Sequence, residues 1–182
     1  MKRIALLTAS VCLTLLGGCD SGSGNASANP VAEPAAKTAP APAAESGGAK
    51  IERKYTQAVK ERQSVFTLIL KNFGPLGGMA RGRAPFNAEV VQKNSVHLQH
   101  LGAMIGDTFT TDTRGTGVKT DALDAVWDDQ EAFAKKIAAF QSAVDALADV
   151  ASTGDESKIK PSIGRVGKAC GSCHDDFKVD DD

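Results

Sequence analysis

Aromatic residues are scarce here: one tryptophan, one tyrosine and seven phenylalanines make up 5% of 182 residues. Sandwiches and barrels draw their strands from β-branched and aromatic residues, so this poverty, beside abundant alanine, favours a small helical bundle. An excess of charge of one sign is missing too. Lysine and arginine total 21 against 22 acidic residues, a net charge of −1. That leaves no basic field to draw a phosphate backbone, and nucleic acid is excluded as a partner. Cysteines number only four and are badly placed for a disulfide framework. Cys12 and Cys19 belong to an N-terminal apolar run, and Cys170 and Cys173 are a close pair near the other end. Nor is any apolar run long enough to span a bilayer comfortably, since Ile4 to Leu16 falls short of the roughly 20 residues needed.

What is present begins with a leader. Lys2 and Arg3 form a positive end, Ile4 to Leu16 an apolar stretch, and Gly17-Gly18 the small residues before a cut, so 1–18 reads as a secretory signal. Leu16-Gly17-Gly18-Cys19 resembles a bacterial lipobox, which implies that Cys19 becomes an acylated first residue. An ordinary signal cut at a later small residue is the alternative. In lipoproteins of this kind, an Asp such as Asp20 after the cysteine implies retention at the inner membrane. Residues 19–49 are Ala, Pro, Gly, Ser and Asn with hardly a large apolar side chain, which predicts a flexible tether. About 30 such residues have an r.m.s. span on the order of 30 Å, enough to hold a domain clear of a membrane surface.

Residues 50–182 hold the domain. From Lys50 the apolar period is helical, with Ile51, Tyr55, Val59, Arg62, Phe66 and Ile69 on one stripe, and Gly74-Pro75 is expected to end the helix. Asn87 caps a second helix whose seam reads Val90, Asn94, His97, Leu101, Met104 and Thr108. Asp121 stands where it can cap a third, carrying Val126, Phe133, Ile137, Phe140, Val144, Leu147 and Ala151. The fourth runs from near Glu156 to Phe177, with Pro161 placed to delay or kink its start. Four amphipathic helices with mostly short connections predict an antiparallel four-helix bundle.

Cys170-Gly171-Ser172-Cys173-His174 has the C-x-x-C-H spacing of c-type haem attachment. Thiols three apart on a helix share a face and reach the two vinyl groups of one porphyrin. The next residue lies four from the first thiol on that same face, which brings the imidazole of His174 to the iron. A zinc site would need a further ligand, His97 or His100, and a thioredoxin-like pair would need a βαβ context that the helical pattern does not offer. The motif therefore predicts one covalent haem c, with Cys170 and Cys173 attached and His174 as axial ligand.

From Glu52 to Lys178 the domain resembles cytochrome c′, the class II cytochromes c. The likeness rests on Arg62-Gln63-Ser64-Val65-Phe66, on Asn72-Phe73-Gly74-Pro75-Leu76-Gly77-Gly78-Met79, on Arg81-Gly82-Arg83-Ala84-Pro85-Phe86, on Val126-Trp127, and on Gly167-Lys168-Ala169-Cys170 running into Cys173-His174-Asp175-Asp176-Phe177. It implies that Arg62 and Gln63 contact the haem propionates. The residues alone leave Arg62 between two readings, paired with a propionate or snorkelling from the bundle's edge. The resemblance further implies that Asp121, Trp127, Phe177 and Lys178 surround the haem, although Asp121 is equally a plain cap. Lys178 stands where many members carry Arg and lacks the planar group that stacks on an imidazole. Met79 and Met104 read as core, and His97 and His100 as surface or satisfied histidines.

Low-spin members place a ligating Met where this chain has Phe66. Phenylalanine has no lone pair, so the resemblance implies a five-coordinate, high-spin iron behind an apolar lid, open to NO and CO. The expected function is a periplasmic, membrane-tethered binding protein that scavenges NO rather than an enzyme. Electron transfer with a redox partner is the alternative, and weak NO reductase or peroxidase activity ranks last, for want of an evident distal acid or base. The family's usual homodimer is expected.

Overall fold

The computed structural model describes residues 47–179. The expected leader, Cys19, nearly all of the tether and the acidic end 180–182 lie outside the described residues. Four long helices, α1 (Gly47–Ala80), α2 (Ala88–Met104), α4 (Gln130–Ala151) and α5 (Glu156–Phe177), form the antiparallel four-helix bundle that the periodicity predicts, with a short α3 (Ala125–Asp128) before α4. A 3₁₀ turn, Gly106–Phe109, follows α2.

The caps are local, and that of α2 is the expected one. Asn87 Oδ1 accepts from Val90 N at 3.0 Å, and Asp155 Oδ1 accepts from Ser157 N at 3.0 Å. Each satisfies a first-turn amide that has no partner within its own helix. Pro161 sits inside α5 without delaying its start.

Four expectations need correcting. The helix α1 begins three residues early, at Gly47, and does not stop at Gly74-Pro75. It runs on because Leu76, fully buried, and Met79, 6% exposed, carry the core stripe past the proline. Asn94 of α2 also donates to the Asn72 carbonyl at 2.9 Å, satisfying backbone near the point where Pro75 removes a donor. The buried face of α2 is Val91, Asn94, Ser95, Leu98 and Gly102, about one residue round from the expected seam. His97 turns outward to Asn72 Oδ1 (2.9 Å), and Met104 is 48% exposed rather than core. Asp121 caps nothing. Asp129 caps α4 instead, accepting from Ala132 N at 2.9 Å, and Val126 and Trp127 fall on the separate α3. Asp121 lies at a bend before α3, where its carbonyl accepts from Val179 N (2.9 Å), beside an isolated bridge between Ala122 and Lys178.

The solid core gathers at one end of the bundle. Leu76, Val91, Leu98, Val144, Leu147, Ile159 and Val166 are wholly buried there, where α1 and α4 end and α2 and α5 begin. Toward the other end α1, α4 and α5 enclose open space, and the end of α5 delivers the cysteine pair into it.

Candidate haem site

A cavity of about 340 Å³ lies between α1, α4 and the C-terminal half of α5. Cys170, Cys173 and His174 all line it from α5, as the one-turn spacing requires. Both cysteines are free and half-buried. Burial pushes the Cys170 thiol up to about 11, and it raises Cys173 also, against the pull of the Lys136 ammonium. Both thus face the cavity as neutral thiols, suited to an apolar guest and to addition across a vinyl group.

The remaining wall is aromatic. Six of the chain's seven phenylalanines line the space, among them Phe66 from α1. Phe66, Phe109, Phe133 and Phe177 form a chain of edge-to-face contacts from α1 to α5, with centroids 6.3, 4.8 and 5.1 Å apart. A dry cavity of this volume would cost about 8 kcal/mol at roughly 24 cal/mol per Å³, the order of a domain's whole stability. The wall is therefore shaped to be filled by something large and apolar.

Arg62 does not snorkel. It is 3% exposed, and Nε donates to the Thr108 carbonyl at 2.8 Å and Nη1 to Thr113 Oγ1 at 2.9 Å, while Nη2 donates to the Thr111 carbonyl. Its guanidinium also lies 4.8 Å from the Phe109 ring centre and 5.1 Å from that of Trp127. Burial lowers its pKa and the Asp112 carboxylate opposes that, but an arginine so hydrogen-bonded stays charged.

The family model for cytochrome c′ matches residues 57–178. The chain belongs to the cytochrome c′ family. It is 40% identical over 127 residues to cytochrome c′ of Rubrivivax gelatinosus, covering 69% of this chain and 97% of that one. The crystal structure of cytochrome c′ from that organism superposes with a TM-score of 0.63 over 68% of this chain and 96% of its own. A nitric oxide complex of a cytochrome c′ variant from Alcaligenes xylosoxidans, 34% identical, superposes at 0.61 over 68% and 94%.

The family's cofactor is a covalent c-type haem, and the cavity fits it: an apolar aromatic wall, two neutral thiols one turn apart, and an imidazole beside the second. Gln63, Phe66, Asp121, Phe177 and Lys178 line the cavity with Arg62. Trp127 does not. Its indole Nε1 donates to the Phe109 carbonyl at 3.2 Å, so it backs the wall instead of forming it. Neither His97 nor His100 lines the cavity, Met79 packs in the core, and among the described residues no group of three His, Cys, Asp or Glu could hold a metal ion.

Of the lining residues without a role in the sequence reading, two bear most on the site. Lys136 of α4 reaches Ser172 and Asp176 on α5, and Phe109 stands in the polar loop after α2. A lone large apolar side chain among threonines and glycines was the available signal for the second. Nothing in the period of α4 distinguishes Lys136 from a solvated lysine.

Proposed function

We propose that the protein captures nitric oxide, and binds carbon monoxide, at a haem iron held by His174 on one side and by no residue on the other. The observation that carries this reading is Phe66, which faces the cavity with a side chain that offers no lone pair. The nitric oxide complex of the Alcaligenes xylosoxidans relative supports the same chemistry in this fold. The haem supplies an iron with an open position for a small neutral diatomic. The protein's residues supply the rest: Cys170 and Cys173 hold the group, His174 takes one face of the metal, and Arg62 and Gln63 stand toward the polar edge. Phe66 and its neighbours exclude anions and give water nothing to bond. Neither Phe66 nor Gln63 can transfer a proton, so binding is favoured over turnover. With a leader and an acylated Cys19, this capture takes place in the periplasm beside the inner membrane, where scavenging protects membrane enzymes.

A second reading, electron transfer with a redox partner, draws on Leu70. This leucine is 69% exposed on the cavity's rim, an apolar contact for a docking protein. The absorption spectrum of the reduced holoprotein, with and without CO and NO, separates the two. Gas capture requires a high-spin reduced spectrum that both gases change. A six-coordinate, low-spin spectrum that CO leaves unmoved overturns it in favour of electron transfer. Radioactive palmitate tests the anchor, and an unlabelled mature protein would make this a soluble form.

A further inference from the structure

We infer that Arg62 is the clasp that closes the gas pocket, holding the 108–113 segment so that Phe109 stands beside Phe66 as a second wall. This rests on the gas-binding reading and adds to it a residue that controls entry. Three of the five N–H donors of the guanidinium are spent on that one segment, at the carbonyls of Thr108 and Thr111 and at Thr113 Oγ1. The acceptors are set in an arc that only a planar fork can serve at once. Thr113, 3% exposed, is drawn inside with it. Phe109 and Trp127 flank the guanidinium, and Trp127 returns a bond to the Phe109 carbonyl at 3.2 Å.

Beyond the clasp, the segment is held chiefly at Phe109, whose ring packs 4.8 Å from that of Phe133 and whose carbonyl accepts from Trp127. It is threonine-rich and runs on to Gly115 and Gly117, both with positive φ, and Phe109 is its one large apolar side chain. Outside the clasp, Arg114 pairs with Asp112 and Asp128, but these are exposed and weakly binding. The Phe109 ring sits 6.3 Å from Phe66 and lines the same cavity. Releasing Arg62 therefore loosens the segment that carries this wall of the pocket. A guanidinium serving only as a charge toward a haem propionate would have no need of the three loop acceptors.

Arg62→Lys separates the two roles because it keeps the charge and loses the fork. In the reduced holoprotein, hydrogen exchange of the 108–113 amides should speed up by about tenfold or more, the scale of losing two or three charge-assisted bonds. CO association, followed by stopped flow, should rise with it. Phe109→Leu should raise CO association while keeping the three Arg62 bonds, so that these amides exchange more slowly than in Arg62→Lys. A lysine variant with wild-type exchange and wild-type CO kinetics overturns the inference, as does a loosened segment with unchanged CO association. Should Arg62→Lys fail to fold, Thr113→Val removes one acceptor and no charge. It must show the same two changes in weaker form, and wild-type behaviour there also overturns the clasp. A wild-type holoprotein that takes up no CO sinks the gas-binding reading instead, and the exchange measurements, which need no gas, then decide whether the segment is clasped.

Discussion

Lys136 Nζ donates to the Ser172 carbonyl at 3.0 Å, from the first half of α4 to the middle of the cysteine pair on α5. The same ammonium donates to Ser172 Oγ at 2.7 Å and pairs with Asp176 Oδ2 at 2.6 Å, so all three of its protons are placed on the attachment turn. Lys136→Met keeps the length and apolar stem and removes the bonds. The expected loss is about 1–2 kcal/mol, since the group is only partly shielded from water. Thermal unfolding should show a fall in Tm of roughly 3–10 °C. A Tm within a degree of wild type would mean that water replaces the three contacts at no net loss.

Two helical glycines should respond to alanine with opposite signs. A Cβ on Gly102 would lie 3.0 Å from Phe140 Cε1 and 3.6 Å from Gln141 Cγ, and Phe140 is a core ring only 5% exposed. Crowding of that kind costs about 1–3 kcal/mol and outweighs the helix propensity gained, about 1 kcal/mol. Gly164, exposed on α5 with nothing within 4 Å, has only the propensity to gain. Urea midpoints of the holoproteins should therefore fall for Gly102→Ala and rise for Gly164→Ala. Equal shifts of one sign would show that the Phe140 ring yields freely.

What could be read from the sequence was what the chain decides locally. The cysteine pair and His174 lie within one turn and a half of helix, and the Asn87 cap reaches only to Val90. The misread features all depend on partners far along the chain. Pro75 looks like a stop until Leu76 and the Asn94 side chain hold the helix together beyond it. The apolar residues of α2 make two overlapping stripes. The choice between them falls to Gly102, which must face Phe140 because nothing larger fits there. Arg62 is charged on an apolar seam, a visible anomaly, but its acceptors lie 46 to 51 residues away in a loop without a period. Phe109 took its place in the wall through the same loop.

Phe66→Met puts a thioether where the wall now has only a ring. The reduced spectrum should move toward low spin as sulfur takes the open position. If the sulfur-free state then holds about a tenth of the molecules, apparent CO affinity falls about tenfold. Folding should change little, since the site is half-buried and such swaps usually cost under about 1.5 kcal/mol. CO titration followed by absorbance gives both numbers. An unchanged spectrum with unchanged affinity would show that Phe66 is not over the iron.

Acid should unfold the bundle partly through the cap of α5. Asp155 Oδ1 accepts from the Ser157 hydroxyl at 2.6 Å and from its backbone N–H at 3.0 Å, and Oδ2 pairs with Lys158 Nζ at 3.3 Å. These contacts, the hydroxyl chief among them, hold the carboxyl below its ordinary value. A pKa lower in the folded chain than in the unfolded one stabilises the fold at neutral pH, and the contribution is lost as pH falls through the folded value, below about pH 4. Asp155→Asn keeps a side chain that caps well but carries no titrating proton. Wild type should thus be the more stable at pH 7, with the gap in urea midpoint closing toward about pH 2. Asp112, held low chiefly by the Arg114 side chain, titrates in the same window but is common to both proteins and cancels from the comparison. Parallel curves across the whole range would show that the Asp155 charge adds nothing beyond the cap.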